Sequence, residues 1–172
     1  MLGKWLFRLL FLLLVLIVVY YFFPETKLPS DIKIDKLVVV KSERKLIAYS
    51  NDKELKTYVI SLGGEPKGHK QYEGDNRTPE GNYFINAKNP FSGYHKNLGI
   101  SYPNEEDRLQ ARKMGKYPGG EIKIHGLRNG MGFIGKFHRW FDWTLGCMAL
   151  TDEEVDELYK AVPIGTPIEI HP

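Results

Sequence analysis

The sequence predicts a mainly β domain with one or two short helices, preceded by one N-terminal transmembrane helix. Three observations predict it. Residues 9–23 form an unbroken apolar run, residues 36–62 fall into short β-branched or aromatic runs between polar turns, and residues 152–161 repeat their apolar side chains at helical spacing. A length of 172 residues with a hydrophobic fraction of 42% suffices for one compact domain and one appended segment. The expected division is an anchor over residues 1–23, a stalk over 24–35 and a single domain over 36–172.

The anchor comes first. "MLGKWLFRLLFLLLVLIVVYYFFPETK" carries Lys4 and Arg8 and then only apolar residues to Phe23; the run starts at Trp5 if Arg8 snorkels. As a helix, Trp5 to Phe23 is about 28 Å long at ~1.5 Å per residue, close to the ~30 Å of a hydrocarbon core. A cleavable signal peptide has a shorter apolar region, about 7–15 residues, ending in a small-x-small site. The exit here, "VVYYFFPE", has no Ala, Gly or Ser, so an uncleaved anchor is expected. Lys4 and Arg8 suit the cytoplasmic side, and Tyr20 and Tyr21 suit the far interface, which places the domain outside the cytoplasmic membrane, on the periplasm or cell-wall side. A buried core helix would show one apolar stripe instead.

"PETKLPSDIKID", Pro24 to Asp35, is polar with two prolines and reads as a short stalk. "KLVVVKS", "KLIAYSN" and "LKTYVISLG" then form a meander with turns at "ERK" and "NDKE". "RTPEGNYFINA" puts Pro79 and Gly81 in a turn and starts another alternating strand. Residues 93–120, rich in Gly, Pro and charge, read as a loop or insertion. "GEIKIHG" alternates, with Ile122 and Ile124 on one side and Lys123 and His125 on the other, so His125 ends a strand. "TDEE" fits a capping box with Thr151 as N-cap and Glu154 three residues on, predicting a helix over Asp152–Ala161 that Pro163 stops. A last strand closes the chain in "IGTPIEIHP".

The net charge of +3, two of it from Lys4 and Arg8, argues against a phosphate-tracking protein, so no nucleic-acid partner is expected. One cysteine excludes an intramolecular disulfide. Cys147 is either a buried small hydrophobe or a nucleophile, and a thiol becomes a useful nucleophile when a histidine within reach takes its proton. His69, His95 and His171 read as solvated, and His138 lies in the loop that leads to Cys147. His125 is held by a strand and followed by Gly126, whose carbonyl can fix the ring tautomer. Gly146 lets the backbone ahead of Cys147 approach a substrate, and successive N–H groups there can form an oxyanion hole. The histidines and the cysteine show no zinc spacing, so neither metal nor cofactor is expected.

"IHGLRNGMGFIGKFHRWFDWTLGCMALTDEEVDELY" resembles the active-site segment of L,D-transpeptidase (YkuD-like) catalytic domains: His-Gly, a loop of variable length, then Ser/Thr-x-Gly-Cys. "KSERKLIAYSNDKELKTYVISLGG", "GDNRTPEGNYFI" and "NLGISYPN" are similar to the family's earlier blocks, so the resemblance covers about Asp35 to Pro172. It implies an L,D-transpeptidase-like β-sandwich in which Cys147 is acylated, His125 is the general base, Gly126 orients the ring, Gly146 and Cys147 supply oxyanion donors, and Thr144 takes the Ser/Thr position. Leu145 and Met148-Ala149 depart from the family's commonest residues. Arg128, Arg139 and Trp140 flank these motifs as candidate substrate-binding residues, and the glycine-rich loop from Gly126 to Cys147 is expected to form a substrate wall.

The implied reaction is acyl transfer on peptidoglycan stem tetrapeptides: the thiolate attacks the carbonyl of the third residue and the terminal D-residue leaves. The acceptor stays open among a stem peptide, a lipoprotein lysine, another amine and water. Two other expectations are a silent cell-wall-binding module and a sortase-like transpeptidase, the latter lacking a clear "TLxTC" block here.

Overall fold

The computed structural model describes residues 2–172. Leu2–Phe22 form helix α1, apolar on all sides and with none of its membrane-length stretch, Gly3–Phe22, buried in the protein. The rest is mostly sheet. Lys36–Val40 (β1), Lys45–Ser50 (β2) and Lys53–Val59 (β3) make the antiparallel meander that alternation predicts. Gly81–Ser92 (β4), His95–Ile100 (β5), Lys123–His125 (β6), Met148–Ala149 (β7) and Pro167–His171 (β8) complete eight strands in the order β3-β2-β1-β8-β4-β5-β6-β7.

The β-sandwich of the sequence reading is this one sheet curled on itself. Strand β4 is the bend: Gly81–Phe84 pair with β8, Ile85–Ser92 pair with β5, and its register with β5 shifts twice, after Ile85 and after Asn89. Such irregularities increase local twist and turn a strand from one layer into the next. The chain beyond β3 then meets β7. Ser61 and Ala149 exchange two backbone hydrogen bonds of 3.1 and 2.9 Å, and Thr144 N–H donates to Leu62 C=O at 3.1 Å, which joins the two ends of the curl.

Between the layers lies one core, with Leu37, Val39, Leu46, Ile85, Ile124 and Met148 all at 0% exposure. Asp152–Ala161 (α3) presses Val155 and Leu158 into it, each fully buried and each contributing about 1.5–3 kcal/mol by that burial. The capping box at Thr151 and Glu154 is present as the sequence predicts. Ile34, in the segment ahead of β1, is also fully buried, and its N–H donates to Ala161 C=O at 3.0 Å.

The region 93–120 is not a bare loop. It contains β5 and a nine-residue helix, Glu105–Lys113 (α2), whose N-cap Asn104 and Asp107 form a second capping box. The helix hides from periodicity because its sequence, "EEDRLQARK", is polar on nearly every face. His69 is not a freely solvated ring either: its Nδ1 accepts from Glu80 N–H at 2.9 Å and its Nε2 lies 3.0 Å from the Asp107 carboxylate, tying the 64–80 loop to α2.

Candidate active site

Strands β6 and β7 run parallel, with Ile124 opposite Met148 and His125 opposite Ala149. Cys147, the residue just before β7, therefore stands beside the strand that carries His125 at its end. Both side chains line a cleft of about 430 Å³, together with Tyr94, Asn97, Lys123 and Trp143. The sheet brings together two residues that are 22 positions apart in the chain.

The backbone under Cys147 is crowded, and the glycines answer that crowding. Gly146 has φ +128°, and a Cβ there would lie 2.6 Å from Arg77 C=O. A Cβ on Gly63 would meet Asn76 C=O at 2.1 Å and the Gly146 Cα at 3.0 Å. Three backbone segments thus converge where any side chain would push them apart. Buried cations hold the third segment in place. Lys41 Nζ donates to Gly68 C=O, Thr78 C=O and Glu80 Oε1 at 2.6, 2.9 and 2.8 Å, and Lys70 pairs with Asp75 at 2.8 Å.

Thr144 sets the turn into the cysteine. Its Oγ1 accepts from Gly146 N–H at 3.1 Å and donates to Cys147 C=O at 2.7 Å. The Gly146 amide is therefore already hydrogen-bonded, which corrects its expected part as an oxyanion donor. Gly146 contributes shape, and Thr144 rigidity.

His125 is 6% exposed, with Nδ1 2.7 Å from Gly126 C=O. A carbonyl only accepts, so the proton sits on Nδ1 and Nε2 is left with its lone pair. The Tyr94 ring lies 4.8 Å and the Trp143 ring 5.8 Å from the imidazole, walling it on two sides. Gly126 is fixed in turn: a Cβ there would meet Asp152 Oδ1 at 2.6 Å, and the same carboxylate accepts from Leu127 N–H at 2.8 Å. The first turn of α3 thus shapes the exit from His125.

Electrostatics leave the pair neutral at rest. Burial pushes the His125 pKa below its usual 6.5; the Gly126 carbonyl opposes that shift and Lys123 adds to it. Burial also pushes the Cys147 thiol up, against the pull of the Lys123 amide and ammonium. In this structure the thiol lies 3.5 Å from Glu121 C=O. The arrangement suits a thiol that gives up its proton to a neutral imidazole as a bond forms, rather than a standing thiolate–imidazolium pair.

Of the candidate substrate-binding residues, only Thr144 lines this cleft. Arg139 is spent elsewhere: its guanidinium holds Glu25 and Glu154 at 2.8 Å each, behind the capping box of α3. Arg128 and Trp140 line a separate, apolar cleft on the other side of Trp143. The loop after Gly126 is thus no wall to Cys147 until it reaches Trp143, Thr144 and Leu145. Sequence reasoning missed Tyr94, Asn97 and Lys123. Asn97 could have been found from the pairing of β5 with β6, where it stands opposite His125, once β5 itself was recognised.

The model of the L,D-transpeptidase catalytic domain matches residues 34–170. The chain belongs to the L,D-transpeptidase catalytic-domain family. YafK of Escherichia coli (strain K12), which carries an L,D-transpeptidase name, is 31% identical over 130 residues, covering 72% of this chain and 45% of that protein. The chain therefore spans less than half the length of this curated relative. Among solved structures, the helical cell shape determining protein Pgp2 of Campylobacter jejuni superposes with a TM-score of 0.59 at 24% identity, covering 81% of this chain and 48% of its own. Bd1075 of Bdellovibrio bacteriovorus gives 0.55 at 22% identity, covering 83% and 49%. These likenesses show a common fold, a curled sheet with a few helices.

Proposed function

We propose that the chain is a membrane-anchored cysteine acyltransferase that acts on peptidoglycan stem tetrapeptides outside the cytoplasmic membrane. The observation that carries this is the His125 imidazole, fixed by Gly126 C=O with Nε2 unprotonated, in the same cleft as the only thiol. Nε2 takes the Cys147 proton as Sγ bonds to the carbonyl carbon of the third stem residue. The tetrahedral oxyanion meets the Cys147 amide and returns to a carbonyl as the C–N bond to the terminal D-residue breaks. The imidazolium gives its proton to that leaving amine. A thioester remains, and an amine or water, deprotonated by the same Nε2, displaces Sγ to give the amide or the acid.

Membership of the family supports the reaction class, and α1 supports the anchor. Incubation of the full chain with muropeptides should give an acyl-enzyme adduct by intact mass and a product shortened or cross-linked at the third residue. Binding without any adduct, whatever the acceptor, would leave a silent docking module. Protease added outside intact cytoplasmic membranes should digest the chain from about Asp35 onward; protection there would reverse the topology.

A further inference from the structure

Helix α1 does not leave the domain on a free tether. Its last turn is bonded to a stretch of 3-10 helix, Gly132–Trp140, kinked at Gly135. Tyr21 Oη donates to Phe133 C=O at 2.6 Å, and its ring stacks on Phe137 at 5.2 Å. Tyr20 lies 6.0 Å from both Phe137 and Trp140. Lys136 Nζ donates to Phe23 C=O, and Glu25 pairs with Lys136 at 3.0 Å and with Arg139 at 2.8 Å. Gly135 sits against the Tyr21 ring, where a Cβ would come within 2.9 Å. Aromatic contacts and an ion-pair chain thus fix the end of the helix to this segment.

Beside that junction the surface is apolar in a way the domain's own packing does not use. Phe133 is 71%, Phe141 70% and Trp140 55% exposed. Trp140 and Phe141 line a cleft of about 720 Å³ together with Leu127, Ile134 and Phe137, and Phe133 lies beside it in the same 3-10 segment. Exposed apolar side chains are ordinary singly; two large aromatics at one apolar cleft with a third exposed next to it in sequence are not.

We infer that this face lies in the outer-leaflet interface of the bilayer, with Phe133, Trp140 and Phe141 inserted beside Tyr20 and Tyr21, and that phospholipid acyl chains fill the cleft. The occupant follows from continuity. Tyr20 and Tyr21 end the apolar helix at the depth where aromatic side chains gather; the Phe133 carbonyl is bonded to Tyr21 and the Trp140 ring lies against Tyr20. A face bonded to the helix end cannot lift far from that depth. Trp143 lines this cleft and the Cys147 cleft alike, so the reaction site lies one indole away from the membrane. Stem peptides close to the membrane are then the substrates within reach. The inference rests on the anchor proposed above.

The test uses the full chain, one copy per nanodisc of phosphatidylethanolamine and phosphatidylglycerol, with a diazirine placed near the ester end of the acyl chains. After irradiation, adducts are mapped by peptide mass spectrometry. Adducts are expected on residues 20–23 and also on Met131, Phe133, Trp140 and Phe141. In Phe133→Ser/Phe141→Ser the second group should fall several-fold while adducts on α1 stay unchanged. Adducts confined to α1 would overturn the inference and leave the anchor standing; none on α1 would remove both. Discs loaded with two copies add a further check: a cross-link between two 131–141 segments in place of lipid adducts would assign the face to a second copy and overturn the inference.

Discussion

Two clefts meet at Trp143 and are built on different principles. The one around Cys147 mixes polar and aromatic side chains on strands β4 to β6 and the turn into β7, with its key backbone positions fixed by the Thr144 hydrogen bonds and by Gly63, Gly126 and Gly146. The other is apolar, made by a 3-10 segment and bordered by exposed aromatics, with ion pairs behind it. The first holds a few atoms in defined positions; the second offers a surface. Substitutions should therefore cost reaction rate in the first cleft and folding or membrane seating in the second.

The largest expected effect is that of Cys147→Ala, which should abolish both the acyl-enzyme mass and all product, because no second thiol exists. Residual product would break the comparison outright. Next, His125→Gln should lower acylation by roughly 10²–10⁴-fold with the Tm little changed, as for a lost general base. The pH profile sharpens this. Since burial lowers the His125 pKa, Nε2 keeps its lone pair below pH 6.5, and the acid limb of kcat/KM should have its midpoint below that value. A midpoint above 7 would mean that the cleft favours the imidazolium and would overturn the neutral pair.

Across Trp143 the balance should invert. Arg139→Ala removes the partner of Glu154, a residue 3% exposed, and should cost about 3–5 kcal/mol of stability while turnover per folded molecule holds. A loss of turnover at unchanged Tm would return Arg139 to the substrate. Thr144→Val tests the border between the two regimes: it frees two groups beneath Cys147, so a loss of about 1–3 kcal/mol should accompany reduced acylation, and Thr144→Ser should restore both.

The smallest effect on rate belongs to His138, which is buried with Nδ1 3.0 Å from Ser61 Oγ. Burial, with Arg139 and His125 nearby, lowers its pKa to about 4 from the usual 6.5. The unfolded chain takes up that proton first as pH falls, so stability is whole above 6.5 and is lost between 6.5 and about 4. The loss approaches 1.4 kcal/mol per pH unit. His125 adds a loss of the same sign. Thermal melts of His138→Gln should fall less steeply over that window than those of the wild type, with turnover at neutral pH nearly unchanged.

What the sequence made legible follows the same division. The meander β1–β3 and helix α3 were readable because one face of each packs on the core, and that leaves a period of two or of 3.6. His125 and Cys147 stood out through their glycine neighbours, which report backbone constraints directly. Helix α2 left no such trace beyond Asn104 and Asp107 at its start. Arg139 misled because its two partners, Glu25 and Glu154, are distant in sequence in opposite directions. The hydrogen bond that occupies the Gly146 amide comes from a side chain two residues away, and only its turn geometry reveals it.

The joined curl has a further consequence under the anchor proposed above, which would confine the protein to a plane. Molecules so held would collide in two dimensions, where an open strand edge would zip neighbours together. At β7 that edge is closed by Ser61 and Leu62. On β3, what remains open carries Lys53 and Glu54, while Lys56 is buried and paired with Glu157 of α3 at 2.6 Å. Charge along the open part and pairing along the rest would let copies anchored in this way crowd without polymerising through their sheets.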